Sequence, residues 1–247
     1  LDFRQSIIRH ALTRPHTMNT VSSPQSPEAG QSPGSLDLSK NLAMVFGTPV
    51  AVHQWPDSEA VNAELGTLVL AREAGDGGVQ HSNVGGWHSM SDFFSWDADC
   101  VRTVRDRVVR MVMEMTRVTM AEQIGDRKLD FGLKGWANVN RDRSYNLVHN
   151  HPNHVWSGTY YVATGDPDTD DRFNGRLELL DPRNGVGLFG IGGYSMGARC
   201  LVDPLPGAMV VFPSWLNHQV HPFHGTGGRL SIAFNVQIQE VSDPARA

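Results

Sequence analysis

From Gly135 onward the hydrophobic period of the chain changes, and that change decides its fold class. Upstream, Val101, Val104, Val108, Val112, Met115 and Val118 recur at helical spacing in a stretch opened by Asp97 or Asp99 and closing near Glu122. Arg102, Arg105 and Arg110 fall largely on other faces, as in a helix that lays one stripe on something flat. A shorter helical pattern covers Asp57–Ala71, with Asp57 and Ser58 as N-cap candidates. Downstream, short runs of Val, Tyr, Phe and Leu alternate with Gly, Pro, Asn and Asp. Strands are expected at Trp136–Asn140, Asn146–His151, Ser157–Ala163, Gly175–Leu180, Arg199–Val202, Ala208–Phe212, Gln219–Pro222 and Arg229–Gln237. So many short strands in about a hundred residues predict a mainly β protein, a jelly roll or barrel, with the preceding helices on its outer sheet face.

The last strand fixes which way the sheet faces. Arg229, Ser231, Ala233 and Asn235 alternate with Leu230, Ile232, Phe234 and Val236. If the apolar set packs outward under the long helix, Arg229 and Ser231 face an interior cavity. A polar cavity backed by helices is a binding site and not a filled core.

The remaining organisation is simple. Ser22–Ser35 (SSPQSPEAGQSPGS) is too rich in Pro, Ser and Gly to offset its ordering entropy, so residues 1–40 are expected to be a mobile extension. Phe3–Leu12 within it has the pattern of a short amphipathic helix. Residues 41–247 are expected to form one domain, opening with a strand in Ala43–His53 that is broken at Gly47-Thr48-Pro49. Gly75–Met90 is a Gly-rich loop carrying His81, Trp87 and His88, a candidate lid. Net charge is −5, so a broad electrostatic grip on nucleic acid is not expected. No run of apolar residues is long enough to span a membrane as a helix. Two cysteines without knuckle spacing, Cys100 and Cys200, make neither a disulfide framework nor a zinc site, and fit a reduced, cytoplasmic setting.

Histidine is the residue that points to chemistry. Six of the 11 histidines fall between His149 and His224. On a strand, His149 and His151 share a face and can aim at one centre; neutral imidazole suits Fe, Zn, Cu and Ni. His218 follows a strand that ends in Phe212-Pro213-Ser214, with His221 in reserve. Eleven residues after His218, Arg229 and Ser231 can clamp a carboxylate, the guanidinium bidentately. Each signal has an ordinary alternative, namely solvated loop histidines or an edge ion pair. Their order along successive strands favours a site.

Three stretches carry a resemblance. Ser82–Ser89 (SNVGGWHS), His149–Tyr161 (HNHPNHVWSGTYY) and Phe212–Asn235, with its FPSWLNHQVHP and RLSIAFN segments, resemble a bacterial branch of the 2-oxoglutarate/Fe(II)-dependent oxygenases. That family has the double-stranded β-helix fold, a cupin-like jelly roll, and the resemblance runs from about Phe46 to Val236. It implies an enzyme that binds Fe(II) through His149, His151 and His218. It implies that Arg229 and Ser231 hold the distal carboxylate of 2-oxoglutarate, the cosubstrate, with O2 as oxidant. Asn138, Asn140, Tyr145, Asn146 and Tyr160 are candidates to contact the cosubstrate or orient a ligand; Asn138, Tyr145 and Tyr160 lead. One departure stands out: His151 occupies the position where the family places a carboxylate. Glu178, Asp181 and His154 therefore remain alternative third ligands. An imidazole there also disfavours halogenation, which needs the position open.

The expected reaction is hydroxylation, or related C–H oxidation, of a small-molecule or amino-acid-like substrate, coupled to decarboxylation of 2-oxoglutarate to succinate and CO2. Two other classes stay open: a three-His dioxygenase that does not use 2-oxoglutarate, and a non-catalytic metal- or carboxylate-binding module. A homodimer is left open as the assembly.

Overall fold

The computed structural model describes residues 46–125, 128–168, 171–185, 190–191, 194–195 and 199–242. The extension expected at residues 1–40, with its short helix at Phe3–Leu12, lies outside them.

Two antiparallel sheets face one another. The larger contains β1 (Ala51–Gln54), β3 (Trp87–His88), β4 (Lys128–Asn140), β6 (Trp156–Ala163), β12 (Ala208–Pro213) and β15 (Arg229–Ser242), in the order β1-β12-β6-β15-β4-β3. The smaller contains β2 (Asn83–Val84), β5 (Tyr145–His149), β8 (Leu177–Leu180), β11 (Arg199–Val202) and β13 (His218–Val220), in the order β11-β8-β13-β5-β2. Two-stranded ribbons flank them, β7 (Asp166–Pro167) with β14 (Gly225–Thr226) and β9 (Gly190–Ile191) with β10 (Tyr194–Ser195). Consecutive strands commonly sit in opposite sheets, as in a double-stranded β-helix. The expected fold class is borne out.

The helices Glu59–Gly75 and Asp99–Ile124 cover the outer face of the larger sheet. Val101, Val104, Val108, Val112 and Met115 are buried against Ala137, Val139, Met209, Val211, Ile232, Phe234 and Val236. The alternation of β15 holds as expected: Leu230, Ile232, Phe234 and Val236 enter this layer, and their neighbours face the space between the sheets. A second apolar cluster, including Leu177, Leu179, Val210 and Phe212, fills part of the space between the sheets.

Four details depart from the sequence reading. Val118 is exposed, because the apolar stripe ends at Met115 and the helix loses regular geometry at Met120 (φ −129°, ψ 17°). Ser58 is the N-cap residue, but its hydroxyl donates back to the Trp55 carbonyl at 2.8 Å and accepts no N–H of the helix's first turn. The first described strand is Ala51–Gln54, which starts after the expected break and runs one residue past His53; residues 43–45 lie outside the described ones. The stretch Gly75–Met90, expected as a loop, carries β2 and β3: β3 pairs with β4, Trp87 Nε1 donates to the Asp76 carbonyl at 2.8 Å, and His81, Ser82 and His88 line the cavity. Gly78 (φ +70°) is required there, since a Cβ would lie 2.7 Å from the Trp87 ring.

Candidate functional site

A cavity of about 660 Å3 opens between the sheets. Its floor on the larger sheet is a ladder of paired positions. Arg229 lies opposite Asn140, Ser231 opposite Asn138, Ala233 opposite Trp136 and Asn235 opposite Lys134. On the other side of β15, Ser231 meets Tyr161, Ala233 meets Thr159 and Asn235 meets Ser157. Successive rungs are roughly 7 Å apart. The ladder thus runs from a buried arginine at one end to an exposed lysine at the other.

The smaller sheet supplies the histidines. His218 on β13 pairs with His149 at the end of β5. His151 lies just beyond that strand, held by its backbone N–H donating to the Ser214 carbonyl at 2.9 Å. Ring centroids are 4.3 Å apart for His149 and His218, 5.0 Å for His149 and His151, and 5.1 Å for His151 and His218. One nitrogen from each ring lies within 4.8 Å of the others. His149 Nδ1 bonds the Leu147 carbonyl at 2.7 Å, and His218 Nδ1 bonds the Leu216 carbonyl at 2.8 Å. A carbonyl can only accept, so Nδ1 carries the proton and each Nε2 keeps its lone pair for a metal.

Burial keeps these rings neutral. It depresses the His149 pKa, takes His218 to about 4 and, with repulsion from His218 and His149 added, takes His151 to about 3. Neutral imidazole is the ligating form. Three converging, neutral nitrogens fit Fe(II).

Arg229 sits at the closed end and is 2% exposed. Its Nη1 donates to Ser231 Oγ at 3.4 Å, while Nε and Nη2 are buried without a hydrogen-bond partner. The Tyr161 ring lies 5.2 Å from the guanidinium carbon. Burial pulls the Arg229 pKa down, with the cost falling on the charged form. Two other polar atoms nearby are also orphaned, Tyr161 Oη and Asn138 Oδ1. An unpaired buried cation beside unused polar groups fits the carboxylate of a cosubstrate.

Several expected residues lie elsewhere. Tyr160 points away from the cavity: its hydroxyl donates to Asn62 Oδ1 at 2.6 Å and accepts from Arg107 Nη1 at 3.0 Å, under the long helix. The cause is plain alternation along β6: Ser157, Thr159 and Tyr161 pair with the inward-facing Asn235, Ala233 and Ser231, while Tyr160 pairs with Ile232 on the helix side. Tyr145 does not line the cavity either. Between the β5 pairings His218–His149 and Val220–Asn146, three steps on β5 match two on β13. This bulge resets the alternation, so Asn146 shares the cavity face with His149. Asn140 Nδ2 donates to Asn146 Oδ1 at 3.3 Å, Asn146 Nδ2 donates to Ser82 Oγ at 3.3 Å, and Ser82 Oγ lies 3.5 Å from His149 Nε2.

The alternative carboxylates are engaged by other partners. Glu178 is 1% exposed, accepts from Gln219 Nε2 at 2.7 Å, lies 3.1 Å from Arg199 Nε and pairs with His221 Nε2 at 2.7 Å. These partners lie off the cavity, which also disposes of His221 as a reserve ligand. Asp181 is held by Arg183 at 2.6 Å. His154 lines the cavity but is not in the converging group; its Nδ1 bonds the Pro152 carbonyl at 3.0 Å and its Nε2 has no partner.

Two wall residues were not singled out by the sequence. Trp136 lines the cavity 5.6 Å from His151 and stacks on His88 at 5.3 Å and 12°. Lys134 stands two residues before it, so period-2 alternation from Asn138 would have found both.

Residues 134–235 match the family model described as "Putative 2OG-Fe(II) oxygenase". The match covers residues 134–235 of the 247, and over that stretch the chain is similar to the 2OG-Fe(II) oxygenases. All three clustered histidines and Arg229 fall inside the matched stretch. Solved structures show the same fold at low identity. A Pseudomonas putida prolyl-4-hydroxylase shares 14% identity with a TM-score of 0.57, over 77% of this chain and 93% of its own. A Trichoplax adhaerens prolyl hydroxylase, solved with a hypoxia inducible factor peptide, shares 12% with a TM-score of 0.53, over 77% and 84%. HygX from Streptomyces hygroscopicus, solved with nickel and 2-oxoglutarate, shares 12% with a TM-score of 0.52, over 78% and 83%. Comparison with curated protein sequences gives no match. The family so described is one of enzymes, and among the described residues the converging ligands here are three histidines with no carboxylate among them.

Proposed function

We propose that this oxygenase couples decarboxylation of 2-oxoglutarate to succinate and CO2 with hydroxylation, or related C–H oxidation, of a small-molecule substrate. The observation that carries the reading is Arg229. A fully buried guanidinium with two unpartnered nitrogens, in the same cavity as three converging imidazoles, has a purpose if a dicarboxylate binds there. A three-His enzyme working without 2-oxoglutarate would leave that charge uncompensated.

His149, His151 and His218 would hold iron(II), which with O2 supplies the oxidising power while 2-oxoglutarate supplies the reducing electrons. The chain's own share is binding and orientation. Arg229 donates to the far carboxylate of the cosubstrate and Ser231 Oγ joins it. The charge-assisted contact is strengthened by the low dielectric around a buried cation. Asn138 stands one rung closer to the mouth and offers its amide to the cosubstrate's near end. The Asn140–Asn146–Ser82 chain holds the wall behind His149. Trp136 closes the side facing His151 and excludes water from it.

The test is an anaerobic titration with iron(II) and 2-oxoglutarate followed by visible spectroscopy. A metal-to-ligand charge-transfer band is expected, dependent on both additions and weakened in Arg229→Ala. Metal binding without any response to 2-oxoglutarate would favour the three-His enzyme or a simple metal-binding module.

A further inference from the structure

The open end of the cavity is built for an anion. Lys134 faces the cavity on β4, is exposed, and forms no ion pair among the described residues. Its partner across the ladder, Asn235, is buried, and its Oδ1 already accepts the Ser157 hydroxyl at 2.7 Å. That bond fixes the carboxamide so that its NH2 group is left to donate. Lys134 and Asn235 thus present donors side by side, one rung, roughly 7 Å, beyond Trp136.

The charge of the whole cavity points the same way. The chain has 26 acidic residues, yet among the described residues lining the cavity there is no Asp or Glu. Its fixed charges are Arg229 and Lys134, both positive. Arg229 is buried at the far end, about three rungs or 20 Å from Lys134, so one small dicarboxylate cannot satisfy both.

We infer that the substrate is an organic anion, a carboxylate or a phosphate ester, whose charged group is held by Lys134 and Asn235 while its body lies along Trp136 toward the histidines. This rests on the iron/2-oxoglutarate reading of the site and narrows its substrate. The same arrangement discriminates against a free amine. An ammonium group would be desolvated among histidines and cations with no carboxylate on the described walls to receive it. An amino-acid-like substrate fits only with its amine blocked. The neighbouring rim is apolar, with Leu147 and Val148 half exposed beside His149, and suits an apolar body behind the charged head.

The probes are a matched series: 3-phenylpropanoate, 3-phenylpropyl phosphate, 3-phenylpropan-1-ol and 3-phenylpropylamine. Binding is read by tryptophan fluorescence in the chain with and without iron(II) and 2-oxoglutarate under nitrogen. The charge-transfer band is recorded in parallel. The anions should bind about fivefold or more tightly than the alcohol, and the amine most weakly. Lys134→Gln should bring the anions to the level of the alcohol, Lys134→Arg should keep the preference, and Lys134→Glu should turn it toward the amine. The preference should weaken with added salt, since Lys134 is exposed. The ratio of propanoate to phosphate binding identifies the head group. Equal binding of all four probes, or an anion preference unchanged in Lys134→Gln, would overturn the inference. Failure of the charge-transfer band to form would overturn the iron/2-oxoglutarate reading instead, and the fluorescence series separates the two.

Discussion

Replacing Arg229 by methionine should have opposite effects on the empty and the loaded protein. In the absence of cosubstrate, a guanidinium that is 2% exposed has one 3.4 Å contact to Ser231 and two unpartnered nitrogens. Such a charge costs several kcal/mol to bury, and methionine of similar length removes that cost without opening a large void. Arg229→Met should therefore hold or raise the unfolding midpoint of the free protein. With 2-oxoglutarate present the sign reverses. Loss of one side of a buried charge pair weakens binding by on the order of 2–5 kcal/mol, or about 30- to several-thousand-fold. Wild type at cosubstrate concentrations 100 times Kd gains about 2.7 kcal/mol, and the variant at the same concentration should gain almost nothing. Leu230→Ala is the control. Leu230 is buried in the helix-side layer, so its loss should cost about 2–5 kcal/mol of stability with no selective effect on the cosubstrate. The assay is urea or thermal unfolding of all three proteins across a 2-oxoglutarate series at fixed iron. An Arg229→Met protein destabilised like Leu230→Ala, yet still stabilised by 2-oxoglutarate, would refute the reasoning.

His218→Ala should lose metal retention while its circular dichroism stays native, because the ring contributes a donor atom to the cavity; full iron occupancy by elemental analysis would count against the assignment. His151→Asp should keep iron and part of the 2-oxoglutarate turnover, and His151→Ala should lose most of both. Tyr160→Phe should cost about 1–3 kcal/mol in urea unfolding, since it leaves buried Arg107 short of a partner, and should not move the cosubstrate requirement in a succinate assay. The metal-free protein should lose stability as pH falls below about 6.5. There the unfolded histidines bind protons that folded His218 and His151, with pKa values of about 4 and 3, refuse. Each such histidine contributes a slope of roughly 1.4 kcal/mol per pH unit down to its folded pKa, and His218→Gln should show a shallower slope of urea midpoint against pH.

Much of the site could be read from the chain because β15 keeps an unbroken period of two from Arg229 to Val236. That regularity placed Arg229 and Ser231 in the cavity and Leu230 under the helix. Tyr145 and Tyr160 were named as candidate donors without a face assigned to them. A bulge in β5 gives the cavity face to Asn146, and the regular alternation of β6 puts Tyr160 on the helix side. The bulge leaves no local signature such as a glycine at the break. Arg107 was equally illegible: it interrupts the helix's apolar face, and its burial makes sense only through Tyr160 and Asp57, some fifty residues away in each direction. The third ligand stayed open between His151, Glu178 and Asp181 because sequence spacing does not say which face of β8 looks inward. The pairing of Gln219 with Glu178 turns Glu178 away from the histidines, since Gln219 lies on the opposite face of β13 from His218, and Asp181 is engaged by Arg183.

The three histidines are not equivalent, and the difference bears on which of them a carboxylate could replace. His149 and His218 each tie Nδ1 to the carbonyl two residues upstream, which fixes both tautomer and ring direction. Such a tether orients a ligand before the metal arrives, and only an imidazole has the second nitrogen to make it. His151 has no such tether among the described residues. Its ring is placed by packing beside Trp136, His149 and His218 and by a backbone bond to Ser214. A carboxylate at position 151 would lose no orienting bond, whereas one at 149 or 218 would. The cavity charge is set at the same position: a neutral imidazole leaves the cationic balance of Arg229 and Lys134 intact, and an aspartate would lower it by one. His151→Asp should therefore preserve the metal and weaken the hold on an anion at the mouth, which separates the ligating role of this residue from its electrostatic one.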